Sequence, residues 1–488
     1  MMLRALLTIG GVQVITMLVL LVRTKTLALV LGPELVGVMA VIDKLLAVIA
    51  QTGSLSLPFA ALKFLPERWT AGPSEFHALF TQMRNVLLAV IFVAATGALL
   101  VSVLEPSRWG EALRPYNNVV TVALITLPIV GLIPFLQNAF AGRMQQNRAM
   151  FVGLLHAFVL ATAIVGIWSG GLMGYYATYA VLGSVLVVGI TRMVTKDTDA
   201  PAPQRTLRQR FALGLPSRIW RFSGALLILT FLVPYAALFV HYRLLSDHGA
   251  AAAGWMQAAI GISLSVRAVM GSAHGVFLTP NINRGGSPQE RMEWANQYQI
   301  TFCLLAGLFV PPLLLFPDLV VYLLYSSDFA PGATFVMLFV LIEVLGLLIG
   351  TYQSLVVALD HMRVYVANNL VAQLLVVVGA YLLVGPLGIL GAGLASLMAP
   401  LFLYIATVVF LNRSYGLRMP RYVVARAGWL LLGLVVSGLT GALLQGPIWT
   451  TLPSKGIIYI AVVSGFACLL TSHERQRARE VLRGWMAK

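Results

Sequence analysis

Charge is what this sequence has least of. Of 488 residues only 10% are Asp, Glu, Lys or Arg, against about 25% in a soluble globular chain. With 59% apolar residues and a mean hydropathy of +0.88, the chain has too little polar surface to cover itself in water. A soluble enzyme is excluded. Cysteine is nearly absent as well. Cys303 and Cys468 both lie in apolar runs and read as small buried hydrophobes, not as a disulfide framework. Acidic residues are scarcer than basic ones, 17 against 33, for a net charge of +16. Such an excess suits nucleic acid or an acidic membrane surface, and the positions of the cations decide which. Catalytic motifs are missing too: there is no GxxxxGK(S/T) phosphate loop, no HExxH, no GxSxG elbow and no metal-spaced histidine cluster. No enzyme activity, cofactor or metal is expected. The seven histidines are scattered, and His156 and His274, alone in apolar stretches, read as pore-lining or packed residues. Residues 5–22 are apolar without a small-residue cleavage site, so they read as a first membrane span and not a cleaved leader.

What the sequence does have is long apolar runs. A spanning helix needs about 20 mostly apolar residues. The uncharged stretches 5–22, 45–62, 85–104, 115–142, 222–242, 248–266, 294–317, 427–454 and 456–473 supply one each. Stretches 149–191 and 364–412 supply two each, broken by Gly170, Gly171 and Gly174 in the first and by Gly385, Pro386, Gly388 and Gly391 in the second. Residues 333–358, interrupted only by Glu343, supply one more. The expected fold class is an all-α polytopic membrane protein of about 14 transmembrane helices.

An even number of spans puts both termini on one side. With that side cytoplasmic, 25 of the 33 Lys and Arg residues lie inside. Four lie outside (Arg108, Arg114, Arg243, Lys455) and four within spans (Arg23, Lys25, Lys44, Arg267). This is the positive-inside pattern, which the opposite orientation would invert. Most of the positive excess is therefore topology. Nucleic acid is not an expected partner, whereas anionic inner-leaflet lipids beside the basic loops are. The segment 193–222 opens on Asp197-Thr198-Asp199-Ala200-Pro201-Ala202-Pro203, then mixes Arg205, Arg208, Arg210, Arg218 and Arg221 with Leu207, Phe211, Leu215, Ile219 and Trp220. It reads as a basic cytoplasmic linker and surface helix, and the tail 472–488 has the same character. The plainer reading of both is a loop that fixes topology.

An internal repeat appears at an offset of 217. Val36-Gly37-Val38-Met39 answers Ala253-Gly254-Trp255-Met256, Ala141-Gly142-Arg143-Met144 answers Ala358-Leu359-Asp360-His361, and Gly171-Leu172-Met173-Gly174 answers Gly388-Ile389-Leu390-Gly391. Six helices per copy make the two copies parallel, as in transporters built from two matching bundles with the substrate path between them. The expected organisation is an N-terminal six-helix lobe at 1–192, the linker at 193–222, a C-terminal six-helix lobe at 223–412, and two extra helices with a basic tail at 413–488.

A charge near the bilayer centre costs at least about 2.5–3.5 kcal/mol on insertion scales, so it faces a partner or a polar interior. Asp43 and Lys44 fall in the second span, Arg267 in the eighth, and Glu343 in the tenth, while Arg23 and Lys25 end the first. The second and eighth spans are repeat-equivalent, so Lys44 and Arg267 are placed to face one cavity from opposite lobes. Four cations against two anions leave such a cavity positive, suited to an anionic headgroup such as a phosphate. Arg23, Lys25, Lys44 and Arg267 are the candidate substrate-binding residues; Asp43 and Glu343 are the candidate ion-coupling residues. The plainer readings are snorkelling for Arg23 and Lys25 and a helix-packing hydrogen bond for Glu343.

The segment from Arg23 to Gly37 (RTKTLALVLGPELVG) resembles the first-loop signature of bacterial polysaccharide-unit flippases, roughly RxxxARxLGPxxxG. Residues 58–67 (PFAALKFLPE) are similar to that family's second-helix exit, and 386–395 (PLGILGAGLA) to its late "yGi-xGAa-xAt" hairpin. The resemblance spans nearly the whole chain. It implies a Wzx-like member of the multidrug/oligosaccharidyl-lipid/polysaccharide (MOP) superfamily, with MATE-like architecture: two six-helix lobes around a cationic cavity. It further implies a transporter of polyprenyl-diphosphate-linked oligosaccharide in the bacterial inner membrane, with polysaccharide polymerase and chain-length proteins as possible partners. Arg23 and Lys25 match its basic positions near the first loop. The family's second basic residue often lies nearer position 29, which here is Leu29. The alternatives are a peptidoglycan lipid-precursor flippase and a cation-coupled multidrug exporter of the same superfamily. An exporter would want more acidic residues in its spans. A membrane-embedded polymerase or ligase would want a sizeable outer loop, and the outer loops here are short.

Overall fold

The computed structural model describes residues 2–143, 145–196, 214–273, 278, 282, 286–444, 446 and 448–469. Most of the linker expected at 193–222 and the whole tail from 472 therefore lie outside the described residues, as does His274. Among the described residues the structure is helical with no strand.

Four helical runs exceed any single membrane crossing: Ile15–Gly53, Gln146–Thr195, Ser217–Ala268 and Met362–Tyr415, of 39, 50, 52 and 54 residues. At 1.5 Å per residue, 50 residues extend about 75 Å, more than twice the roughly 30 Å hydrocarbon core. Each run is broken near its middle by glycine: Gly32, the pair Gly170 and Gly171, Gly249 and Gly388. Divided there, the described residues give 14 long helices. These are α1 (2–31), α2 (33–53), α3 (Pro73–Leu104), α4 (117–142), α5 (146–169), α6 (172–196) and α7 (217–248). The rest are α8 (250–273), α9 (Pro288–Phe309), α10 (Val336–Ala358), α11 (362–387), α12 (389–415), α13 (Arg421–Leu443) and α14 (Ile448–Cys468). Helix α4 is itself bent by 46° between Leu124 and Leu127. The protein is an all-α, multi-pass membrane protein.

The breaks carry the repeat into the backbone. Gly32 adopts φ 68°, ψ 178°, and Gly249, 217 residues later, φ 84°, ψ 173°. That region is essentially closed to residues with a Cβ. Gly171 (φ 57°, ψ −141°) and Gly388 (φ 57°, ψ −129°) form a second pair at the same offset. Helix contacts follow suit. A Cβ on Gly174 would stand 2.0 Å from the Gly166 carbonyl oxygen, and one on Gly391 2.0 Å from the Leu383 oxygen, again 217 apart at both ends.

Helix ends differ from the ends of the uncharged stretches. Helix α1 runs on through Arg23 and Lys25 to residue 31, and α2, beginning at Pro33, ends at Gly53 and not near residue 62. Leu55 and Ser56, both at positive φ, then turn the chain into a separate connecting helix, Leu57–Ala71. Charge-free length underestimates a span whose charges find partners inside the fold.

The chain divides into two compact units. The first comprises residues 1–258, 323–329 and 369–399. In it Phe64 of the connecting helix meets Phe222 of α7 edge-on, Arg218 bonds Glu67 at 3.2 Å, and Ser56 bonds Thr230 at 3.0 Å. The second comprises 259–322, 330–368 and 400–488. Its helices pack through glycine: Gly438 faces Met337, Gly441 the Leu314 carbonyl, Gly433 Val462, and Gly307 Phe466. Arg426, buried at 1% exposure, donates to the Leu469 carbonyl at 2.8 Å, satisfying an oxygen beyond the end of α14.

Candidate functional site

Two charges of the first unit, Arg23 of α1 and Asp43 of α2, gather around one dipeptide of α6. Its preceding residue, Gly174, lies against the Gly166 carbonyl, which clamps the start of α6 against the end of α5. Tyr175 and Tyr176 follow, both 1% exposed, their rings perpendicular at 5.3 Å. Successive helical residues point about 100° apart, so the two hydroxyls reach different helices. The Tyr175 hydroxyl accepts from Nε and Nη2 of Arg23 on α1, at 3.2 and 2.7 Å, and the guanidinium lies 5.6 Å from the ring centre. The Tyr176 hydroxyl donates to Oδ1 of Asp43 on α2 at 2.8 Å. One turn on, Tyr179 bonds His156 of α5 at 3.0 Å.

Arg23 and Asp43 feel one another's charge but form no nitrogen–oxygen contact within 4.0 Å. Arg23 is half-buried, and among the described residues its Nη1 has no hydrogen-bond partner. Asp43 is exposed apart from its bond to Tyr176. Lys44 is half-buried, and its charge reaches Asp43 and the buried His241 of α7. His241 is fixed by the Ala237 carbonyl at 2.8 Å and Gln257 at 3.2 Å. Lys25 lies two residues beyond Arg23 on α1, about 200° around the helix, and so leaves it by the opposite face.

Arg267 and Glu343 belong to the second unit, where Nη1 of Arg267 and Oε2 of Glu343 form an ion pair at 3.1 Å. The arginine side chain is 58% exposed and the glutamate 15%. Neither charge set is duplicated. At the 217 offset, Arg23, Asp43, Tyr175 and Tyr176 correspond to Val240, Ile260, Ala392 and Gly393, while Arg267 and Glu343 correspond to Ala50 and Thr126. A symmetric backbone carries an asymmetric set of charges.

The sequence reading places Arg23 and Asp43 at membrane depth, and the structure brings them to one cluster. It misses the tyrosines. The signal available was the YYxxY pattern just after the glycine break, three hydroxyl-bearing rings within five residues.

Sequence comparison finds no match among protein families and none among curated proteins. Comparison of folds does. A structure of the lipid II flippase MurJ in an inward closed conformation superposes with a TM-score of 0.71 at 12% identity, covering 94% of this chain and 97% of that one. An inward-facing multidrug resistance MATE transporter of the MOP superfamily gives 0.60 at 15%, covering 86% and 96%. A structure of the MATE multidrug transporter DinF-BH gives 0.56 at 16%, covering 84% and 95%. The chain shares the fold of these structures. Residues 1–412 hold about five-sixths of the sequence, so the 94% coverage by MurJ takes part of α13 or α14 into that fold as well. The Arg23–Tyr175–Tyr176–Asp43 cluster sits in the first copy of the 217-residue repeat.

Proposed function

We propose that this protein flips a polyprenyl-diphosphate-linked oligosaccharide across the bacterial inner membrane by alternating access, for surface-polysaccharide synthesis, with both termini in the cytoplasm. One observation carries the reading: at membrane depth Arg23 is held by a neutral tyrosine hydroxyl, and among the described residues no carboxylate pairs with it and Nη1 is open. A guanidinium presents planar paired donors that match phosphate oxygens, and its affinity for them rises where water is scarce. A diphosphate headgroup bound there would accept from Nη1 while Tyr175 keeps the plane of the guanidinium fixed. Lys44 adds a second positive charge in the same unit. The shared fold supports a transporter, and the resemblance of residues 23–37 to polysaccharide-unit flippases supports the sugar-bearing lipid.

With no nucleotide site in the sequence, an ion gradient drives the cycle in this reading, with Asp43 and Glu343 as the proton or sodium carboxylates. The likeness to the lipid II flippase MurJ favours a second substrate, a peptidoglycan lipid precursor, which shares the diphosphate lipid. An exporter of cationic drugs is disfavoured, since Asp43 is bonded to Tyr176 and Glu343 to Arg267.

The test is translocation in phospholipid vesicles containing the purified protein and a labelled polyprenyl-diphosphate oligosaccharide. Wild type should move label to the opposite leaflet, Arg23→Ala should abolish this, and Arg23→Lys should keep a fraction. Unimpaired flipping by Arg23→Ala would overturn the assignment. Competition by an unlabelled peptidoglycan lipid precursor, stronger than by the oligosaccharide lipid itself, would move the substrate to the second reading. Transport unchanged by collapse of the proton and sodium gradients would overturn the coupling.

A further inference from the structure

We infer that Tyr175 and Tyr176 are positioning residues that hold Arg23 and Asp43 apart, keeping a cation and an anion of one unit from neutralising each other. The inference rests on the anion-binding reading of Arg23. Opposite charges in a medium of low dielectric attract strongly, and two such groups within reach of each other collapse into an ion pair unless something else holds them. Here something does. Arg23 is held by the Tyr175 hydroxyl at 2.7 Å, Asp43 by the Tyr176 hydroxyl at 2.8 Å, and no Arg23–Asp43 contact forms within 4.0 Å. Because the two tyrosines are adjacent on α6, the helix itself sets their hydroxyls about 100° apart. Burial of both rings and their perpendicular packing leave neither free to swing toward the other's partner.

The duplicated unit provides an internal comparison. The second copy keeps the glycine break (Gly388 for Gly171) and the tight contact of Gly391 with the Leu383 carbonyl, so the scaffold that seats the tyrosines is present there. At the four corresponding positions it has Val240, Ile260, Ala392 and Gly393. The helix hairpin therefore folds without the tyrosines. They occur in the copy that has an arginine and an aspartate to separate, and all four polar residues are absent together from the copy that does not.

The assignment predicts a rescue. The full-length protein in detergent is titrated with farnesyl diphosphate, a short isoprenoid diphosphate. Tyr176→Phe releases Asp43 onto Arg23 and should weaken binding about tenfold, the size of a lost charge-assisted interaction. Adding Asp43→Asn to Tyr176→Phe removes the competing carboxylate and should restore wild-type affinity, although the tyrosine hydroxyl is still missing. Should Tyr176→Phe fail to fold, Asp43→Asn alone decides the matter, since it must bind at least as tightly as wild type. Wild-type affinity in Tyr176→Phe, no recovery in the double variant, or weaker binding by Asp43→Asn alone would each overturn the positioning role. Loss of binding in Arg23→Ala alongside any of these leaves the anion site standing. Undiminished binding in Arg23→Ala, or none by wild type, overturns the anion site itself.

Discussion

Gly37 on α2 and Gly254 on α8 meet in a crossing that admits a side chain on neither. A Cβ on Gly37 would stand 2.1 Å from the Ala250 carbonyl oxygen, and a Cβ on Gly254 1.9 Å from the Pro33 carbonyl oxygen. Since 37 and 254, and 33 and 250, are both separated by 217, these are the same contact made twice, once from each copy of the repeat. Small residues permit this closeness of backbones in membranes, where packing and not hydrophobic expulsion drives helix association.

Gly37→Ala and Gly254→Ala should therefore destabilise by similar amounts, about 1–3 kcal/mol each, as overpacked sites do. Gly97 in α3 has nothing within 4 Å of an added Cβ, so Gly97→Ala should be neutral or gain up to about 1 kcal/mol through helix propensity. Thermal unfolding of the three variants in one detergent reads the contrast. Equal melting of Gly37→Ala and Gly97→Ala would contradict it.

The breaks at Gly32 and Gly249 make a separate prediction, because nothing crowds Gly32 or Gly249. The cost of alanine there is conformational alone, about 1–3 kcal/mol for the backbone region they occupy. Gly416, at φ 65°, ψ 12°, caps α12 in the ordinary left-handed region that asparagine also visits, so Gly416→Asn should cost a few tenths of a kcal/mol. Chemical unfolding should rank Gly32→Ala and Gly249→Ala well below Gly416→Asn.

The helical, multi-pass fold was legible in the sequence because hydropathy acts over whole segments, and small errors at helix ends do not disturb it. The repeat was legible because its landmarks are the glycines that the backbone requires. The ends of α1 and α2 were not, since Arg23, Lys25, Asp43 and Lys44 look like boundaries until their surroundings are known. Tyr175 and Tyr176 were not legible either. A tyrosine in an apolar helix carries the same signal whether its hydroxyl meets an arginine 152 residues away or a backbone carbonyl one turn back.

Arg143, at the C-terminal end of α4, gives a prediction opposite in sign to its charge. It is 3% exposed, its guanidinium lies 4.5 Å from the Phe76 ring centre and 5.1 Å from that of Trp69, and Nη2 donates to the Val194 carbonyl at 2.7 Å. Among the described residues Nε and Nη1 are buried without partners, and burial, with Arg148 adding to it, pushes the guanidinium down to about 10. A buried cation so poorly satisfied can often be replaced by an apolar side chain of similar volume without loss. Arg143→Met should melt at or above wild type. Arg143→Lys should melt below it, because an ammonium keeps the charge but not the planar stacking on two rings.

The Arg267–Glu343 pair separates a structural role from a coupling role. Glu343 is the more buried partner, so losing Arg267 should cost more than losing the carboxylate charge. With Arg267 more than half exposed, solvent screening limits the pair to about 1 kcal/mol. Arg267→Ala should therefore melt lower than Glu343→Gln, and the double variant should fall short of the sum of the two. Transport distinguishes the roles further. If Glu343 couples an ion to flipping, Glu343→Gln retains substrate exchange in vesicles but loses acceleration by an imposed proton or sodium gradient, while Arg267→Ala, which keeps the carboxylate, still responds. A gradient response that survives Glu343→Gln would leave Glu343 as a packing partner of Arg267 and shift coupling to Asp43, where Asp43→Asn would then have to abolish it.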